Sequence, residues 1–208
     1  LLLFASNKGE NTLLLVDRQS SFVSVERRIG VDGSLIGRGT INGLRRESCE
    51  ILAEGSAVSD IVKIASLKTS IALCAEAVGA MESLLRQTVE YTKTRKQFGQ
   101  PISSFQVLQH MMANMFIAQA TSSEMLKGIA SEISTDSDYL AYEREIMLLK
   151  HKINKESKLV RHSAVQCHGG IATTDELMIG HYLKRLVVID NYFGGPHVDM
   201  NRINREAA

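Results

Sequence analysis

Apolar residues recur mostly at three- and four-residue steps along a long stretch of the chain that starts after Ser59. They are Ile61, Ile64, Ala65, Leu67, Ile71, Ala72, Ala75, Val78, Met81, Leu84, Leu85 and Val89. This spacing places them on one stripe of a single long amphipathic helix. Several of these residues are alanine, so a second helix can approach the stripe closely. A helix of this length needs partners that cover its stripe, and the pattern therefore predicts a helical bundle.

Three more helices are predicted downstream, over about 105–134, 139–168 and 174–192. Ser103 and Ser104 suit an N-cap for the second helix, and the polar run 134–138 suits the next connection. Gly169 and Gly170 follow the third helix, as a left-handed C-cap requires. Long helices joined by short connections predict an antiparallel four-helix bundle.

Residues 1–55 show a different pattern, with short β-type runs at 13–16, 22–25 and 34–41 separated by glycines. They resemble the last strands of an antiparallel sheet or barrel, which would not be stable without the rest of that sheet. The sequence therefore predicts two domains, a β-domain fragment over 1–55 and a helical bundle over 56–208. We interpret the start of the chain as lying inside a larger domain.

Composition excludes several classes of function. The net charge is only +1, which argues against nucleic acid or an anionic membrane as a partner. Cys49, Cys74 and Cys167 are far apart and form no CxxC pair, so neither a disulfide framework nor a zinc site is expected. Five of the six histidines, at 110, 151, 162, 168 and 181, show no metal-ligand spacing with acidic partners. The apolar run 1–4 is too short for a membrane span. A cytoplasmic location follows from the cysteine usage.

The segment 94–106 contains side chains that a simple connection between two helices does not need. A plain turn uses its glycine, proline and serines, but it does not need Arg95, Phe98 or Gln106. The fork of arginine donors suits a phosphate group. One interpretation is a corner that faces a phosphate, and the other is a capped turn whose arginine pairs with a carboxylate. The sequence leaves both open.

Three stretches in order, at 95–100, 166–170 and 192–195, resemble the C-terminal domain of the acyl-CoA dehydrogenase family. The family pattern Arg-x-x-Phe-Gly-x-x-(Ile/Leu)-x-x-x-Gln matches at Arg95, Phe98, Gly99, Ile102 and Gln106. The next pattern, Gln-x-x-Gly-Gly, matches at 166–170, where an isolated Gly-Gly pair would otherwise indicate a simple helix C-cap. The resemblance covers nearly the whole chain, with 1–55 similar to the end of the family's middle β-domain.

The resemblance implies an oxidoreductase that binds FAD and acts on an acyl-CoA thioester. FAD would lie at a subunit interface within a dimer or tetramer, formed from like or unlike subunits. The cofactor-binding residues carried over from the family are Arg95, Phe98, Gln106, Gln166, Cys167, His168, Gly169 and Gly170.

The chain departs from the family at the catalytic base. Phe193 stands where many members have a glutamate, and Thr69 stands near the position that a second subgroup uses. Neither side chain can take a proton from an acyl-CoA, because such a base must be ionisable. Asp190 is interpreted as a surface acid, solvated or paired, with a displaced base as the alternative. The catalytic residue is therefore unknown.

The tail 180–195 also resembles a bacterial subset of the family. Several members of this subset act as one of two unlike subunits on sterol side chains, dicarboxylic or aromatic acyl-CoAs, and the expected role is fatty acid or sterol catabolism. A subunit of that kind can depend on its partner for the base. The sequence thus predicts an acyl-CoA dehydrogenase-like subunit that needs a partner for a complete active site. The alternative is a non-catalytic helical oligomerisation module that binds no flavin.

Overall fold

The structure is a computed structural model that describes residues 1–7, 10–136, 138–174 and 176–192. Contacts divide the chain into two compact units, Leu1–Ser66 and Leu67–Ala208. Antiparallel strands dominate the first unit and helices dominate the second, so the predicted fold class is confirmed. The division into domains at residue 55 stays a prediction.

The described residues of the first unit, 1–7 and 10–66, form five strands, and the strand pairs among them are antiparallel. They are β1 (Leu2–Asn7), β2 (Glu10–Leu15), β3 (Val23–Ile29), β4 (Leu35–Ile41) and β5 (Glu50–Glu54). A three-stranded sheet has the order β1-β2-β5, and β3 pairs with β4 as a separate hairpin. The three predicted β runs all lie in or overlap these strands. β5 was not predicted, and it is held by pairing with β2 through an irregular register at Leu13 and Leu14.

The second unit is a bundle of long helices, two of which are joined by a small β-hairpin. The helices are α1 (Ser56–Thr94, which begins in the first unit), α2 (Gln106–Asp136), α3 (Glu143–His168) and α4 (Met178–Asn191). The hairpin between α1 and α2 consists of β6 (Lys96–Gln97) and β7 (Gln100–Pro101). The largest fully buried side chains of the bundle are Met81, Leu84, Met115, Ile146, Leu149, Ile153, Val160, Ile179 and Leu186. They come from all four helices. Of the predicted stripe on α1, Leu67, Val78, Met81 and Leu84 are buried, whereas Ile61, Ala65, Ala72 and Ala75 are exposed. The stripe is therefore confirmed only in part, because the buried face of α1 also includes Leu73, Cys74, Ala77 and Ala80.

The start of α2 differs from the prediction. Ser103 and Ser104 lie in a 3₁₀ turn over Ile102–Ser104, and the α-helix begins only at Gln106. The Ser104 hydroxyl donates to the Pro101 carbonyl at 2.7 Å. The expected serine N-cap is therefore wrong, because the 3₁₀ turn takes up both serines before α2 begins.

The third and fourth helices begin later than predicted, at Glu143 and Met178. Before α3, the Asp138 carboxylate accepts hydrogen bonds from the backbone N–H groups of Leu140 and Ala141, at 3.1 and 3.3 Å. These bonds hold a turn where a helix was expected. Before α4, a 3₁₀ turn over Gly169–Thr173 is followed by Thr174 in an extended conformation, with φ −90° and ψ 164°, so no α-helix begins at residue 174.

Candidate functional site

The hairpin between α1 and α2 presents Phe98 to solvent. Gln97 pairs with Gln100, so the loop consists of Phe98 and Gly99, with φ angles of +54° and +80°. Two positive φ angles are characteristic of a type I′ turn, which matches the twist of a two-residue hairpin. Phenylalanine rarely adopts positive φ, and such a conformation costs of order 1–3 kcal/mol. Phe98 is 90% exposed and touches Phe105 only edge-on, with ring centroids 6.0 Å apart.

Arg95 and Gln106 lie on either side of this hairpin. The backbone N–H of Arg95 donates to the Tyr91 carbonyl and its carbonyl accepts from Ile102, both at 2.9 Å. The Arg95 guanidinium is exposed, and within the part of the chain that the structure describes it has neither a hydrogen bond nor an ion pair. The alternative in which Arg95 pairs with a carboxylate therefore has no support among the described residues. Gln106 is exposed in the first turn of α2.

The end of α3 contains the second predicted motif. Gln166 is exposed, whereas Cys167 and His168 are buried. Gly169 ends the helix with φ +70° and ψ −150°, and its N–H still donates to the Val165 carbonyl. The positive φ expected of a C-cap is confirmed, but the ψ angle is extended rather than left-handed helical. A Cβ added at Gly169 or Gly170 would meet no other atom within 4 Å, so both residues border open space.

A contact between Tyr91 and His168 joins the two motifs. Their rings stack with centroids 4.3 Å apart and an interplanar angle of 24°. The Tyr91 hydroxyl also donates to the His168 carbonyl at 3.4 Å. The last turns of α1 and of α3 therefore lie side by side. We call the residues 91–106 and 166–170, which this contact brings to one end of the bundle, the hairpin end.

Burial changes the acid–base behaviour of Cys167 and His168. Burial raises the pKa of the Cys167 thiol, which keeps it protonated and unreactive. Burial lowers the pKa of His168, and this outweighs the opposing effect of its hydrogen bond to the Ala164 carbonyl. His168 Nδ1 lies 2.8 Å from that carbonyl oxygen, so in the neutral ring Nδ1 carries the proton and donates. The histidine of this motif is therefore a neutral ring held in one orientation.

The family has its catalytic base at the positions of Thr69 or Phe193. Within the described residues, no such base is found at either position. Thr69 is exposed on α1, and a threonine hydroxyl is not a base at neutral pH. Phe193 lies outside the described residues, as does the Gly-Gly pair that follows it.

The interpretation of Asp190 as a surface acid is wrong, although it is paired. Asp190 is only 7% exposed. Its carboxylate accepts from Arg161 Nη1 at 2.5 Å and from the Ser157 hydroxyl at 3.0 Å. Its backbone carbonyl accepts from the Asn154 side chain at 3.4 Å. Asp190 faces α3 inside the bundle, so it is not poised as a displaced base.

A polar stripe on α3 faces Asp190, and it was not predicted from the sequence. Lys150, Asn154, Ser157 and Arg161 are all buried. They are spaced four, three and four residues apart, which places them on one face of the helix. That spacing was visible in the sequence, but only the position of α4 shows that the face is buried. Burial raises the pKa of Asp190, while Arg161, Ser157 and Lys150 act in the opposite direction.

Comparison with models of protein families identifies the family of the chain. The model of the acyl-CoA dehydrogenase C-terminal domain matches residues 68–208. The chain belongs to the acyl-CoA dehydrogenase family. The match includes Arg95, Gln106 and the motif at 166–170, and therefore the whole hairpin end.

Individual acyl-CoA dehydrogenases agree with this assignment. IpdE2 from Mycolicibacterium smegmatis is 34% identical over 137 residues, which are 66% of this chain and 42% of that protein. The chain thus spans about half the length or less of the relatives that it matches. In none of its described helices is there a stretch long and apolar enough to cross a bilayer.

Solved structures of the family share the fold. Butyryl-CoA dehydrogenase from Megasphaera elsdenii superposes with a TM-score of 0.86 at 19% identity, over 99% of this chain and 55% of that one. The ChsE4–ChsE5 complex from Mycobacterium tuberculosis gives 0.84 at 22% identity, over 99% and 54%.

Proposed function

We propose that the hairpin end binds the diphosphate and adenosine part of FAD, in an acyl-CoA dehydrogenase-like subunit that acts on the CH–CH bond of an acyl-CoA. The single observation that carries the proposal is the Tyr91–His168 contact. It brings Arg95, whose guanidinium has no partner among the described residues, and a Gly-Gly turn to the same end of the bundle. Neither motif alone has both a positive charge and a backbone that a ligand can approach closely.

The described residues fit a diphosphate group. Arg95 offers an exposed guanidinium without a partner among them, which is suited to a phosphate held by two hydrogen bonds. Gly169 and Gly170 leave open space where a side chain would otherwise stand. Gly170 has no positive φ, so no backbone strain explains the glycine there. A ligand that approaches the backbone is a sufficient reason for it.

The residues of this chain would bind and orient the cofactor. Arg95 would neutralise the diphosphate. Gln106 on α2 and Gln166 on α3 would donate further hydrogen bonds to the cofactor or accept them from it. Phe98 would exclude water beside it, and Cys167 and His168 would support the turn from inside the bundle. When bound, FAD would supply the hydride acceptor for the α,β-dehydrogenation that the family catalyses.

The proton acceptor is proposed to come from a partner subunit. Thr69 cannot serve as the base, and Phe193 cannot accept a proton. The ChsE4–ChsE5 structure shows that a protein of this fold can form a complex of two unlike proteins. The chain would therefore belong to a dimer or tetramer, of like or unlike subunits, in cytoplasmic fatty acid or sterol catabolism. Residues 1–55 would be the end of a middle β-domain.

Replacement of Arg95 by alanine in the full-length protein is expected to weaken FAD binding about 10- to 100-fold. A hydrogen bond to a charged group contributes about 1.5–3 kcal/mol, and every 1.4 kcal/mol is tenfold in affinity. Fluorescence titration of the apoprotein with FAD measures the dissociation constant. Arg86→Ala is the matched control, because Arg86 is also an exposed arginine on α1. An affinity as high as that of the control would remove Arg95 from the site.

A second candidate function, the non-catalytic oligomerisation module, is favoured by one observation. α2 exposes three large apolar side chains, those of Val107, Phe116 and Ile117. A second helical surface could cover them without any flavin.

The visible spectrum of the full-length protein separates these two functions. We expect a flavin spectrum that an acyl-CoA bleaches only after co-expression with a partner dehydrogenase. Bleaching of the protein by itself would show that it contains a base. Absence of flavin in both samples would favour the oligomerisation module.

A further inference from the structure

We propose that the stacked pair Tyr91–His168 is a positioning element that holds Arg95 in register with the Gly169–Gly170 turn. FAD affinity would then depend on two rings that themselves need not touch the cofactor. This inference rests on the proposed function, and it adds Tyr91 as a residue on which the site depends.

The pair lies in an uninterrupted series of direct contacts from α3 to the hairpin. Ala164 accepts a hydrogen bond from the His168 ring at 2.8 Å, which orients that ring. The ring stacks on Tyr91, and the Tyr91 carbonyl accepts from the Arg95 N–H at 2.9 Å. His168 directly precedes Gly169. Each ring therefore belongs to a residue that is directly connected to one half of the proposed site. His168 is bonded to Gly169 along the chain, and Tyr91 is hydrogen-bonded to Arg95.

The hairpin has few other attachments of its own. Its turn residue Phe98 is almost completely exposed, and its ring meets that of Phe105 edge-on. Gln97 donates to the carbonyl of its own neighbour, Lys96. The Arg95 carbonyl accepts from Ile102, which closes the hairpin on itself but does not tie it to α3. Tyr91, in the last turn of α1 just before the hairpin, contacts His168 at the end of α3.

Loss of the stack would leave both motifs folded but no longer aligned. A ligand that needs both would then have to order them when it binds, and this lowers its affinity. An aromatic pair contributes enough for a loss of about threefold to tenfold in affinity. A ring that keeps the stack should restore binding, whereas an aliphatic side chain of similar bulk should not.

The test compares leucine with phenylalanine at Tyr91 in the full-length protein, and adds leucine at His168. We expect Tyr91→Leu and His168→Leu each to weaken FAD binding about threefold to tenfold. We expect Tyr91→Phe, which keeps a ring in the stack, to remain within about twofold of wild type. The double leucine variant should bind about as well as either single variant, because the contact can be lost only once. Tyr139→Leu is the control, since Tyr139 contacts Lys68, far from Tyr91 along α1.

Hydrogen exchange of the apoprotein gives a second readout that does not need FAD. Either leucine variant should speed exchange in both 96–102 and 166–171, whereas Tyr91→Phe should not. Faster exchange only in the segment that carries the substitution would overturn the inference. Equal losses of FAD affinity in Tyr91→Leu and Tyr91→Phe would overturn it as well. If wild type binds no FAD, the proposed function fails, and the exchange pattern still decides whether the pair couples the two segments.

Discussion

Replacement of Asp190 by alanine is expected to lower the free energy of unfolding by about 3–5 kcal/mol, because it leaves the Arg161 charge buried without its counter-charge. Both side chains lie inside the bundle, and the two charged atoms are 2.5 Å apart. The substitution also removes the hydrogen bond acceptor of Ser157. Urea denaturation followed by circular dichroism measures the change.

An exposed ion pair is the matched control for Asp190. Glu124 pairs with Lys127 one turn away on α2, and both side chains are mostly exposed to water. Glu124→Ala should change the free energy of unfolding by less than about 1 kcal/mol. If Asp190→Ala were as mild as this control, the Arg161–Asp190 pair would not be buried in solution.

A double apolar variant separates the cost of breaking the pair from its net contribution. Burial raises the pKa of Asp190, so folding disfavours its ionised form. The Asp190 carboxyl therefore stabilises the fold below about pH 3.8, which is the ordinary pKa of an aspartate. This stabilisation is lost as the pH rises through the pKa of Asp190 in the folded protein. Arg161→Met with Asp190→Leu should therefore recover most of the loss. Wild type should lose stability relative to this variant as the pH rises above 3.8, and the opposite slope would contradict the argument.

Leu84→Ala is expected to lower the free energy of unfolding by about 2–5 kcal/mol, because it removes apolar contacts and leaves a cavity in the core. Leu84 has no exposed surface, and it packs in the cluster that includes Met81 and Met115. If the backbone moved to fill the cavity, the loss in free energy of unfolding would be closer to about 2 kcal/mol. The same urea denaturation measures it.

Leu159→Ala is the matched control for Leu84, since it makes the same chemical change at a residue of α3 that is 39% exposed. Part of its side chain is already in water, so we expect a loss below about 1 kcal/mol. Equal losses at both positions would show that the stripe on α1 does not face the core. A change in the urea slope would instead show that the substitution altered the denatured state.

The helices were predicted more accurately in their centres than at their ends. The apolar stripe on α1 depends on residues three and four apart, so the sequence predicts the helix and part of its buried face. Burial of Cys74, Ala77 and Ala80, which lay outside the predicted stripe, depends on how the other helices pack. The starts of α3 and α4 depend on competing local hydrogen bonds. Asp138 holds a turn before α3, and the glycines at 169 and 170 lead into a 3₁₀ turn before α4. Capping residues were visible, but which bonds they make was not.

The residues of the candidate site were identified from the sequence, whereas their arrangement was not. Arg95, Gln106 and the motif at 166–170 stand out because a simple turn does not need them. Nothing in the sequence shows that Tyr91 meets His168, since they are 77 residues apart. The positive φ of Phe98 was also unexpected, because a bulky residue rarely adopts it.

The sequence by itself determined the family, the helical class and the residues of the two motifs, because each depends on spacing within a short segment. Only the tertiary structure decided that Asp190 is buried and that the last turn of α1 meets the end of α3. Burial of a polar side chain depends on which helix covers it. Asp190 and its four polar partners on α3 become a buried cluster only when α4 lies against that face. Contacts between distant segments form in the same way, because packing, and not local spacing, brings them together.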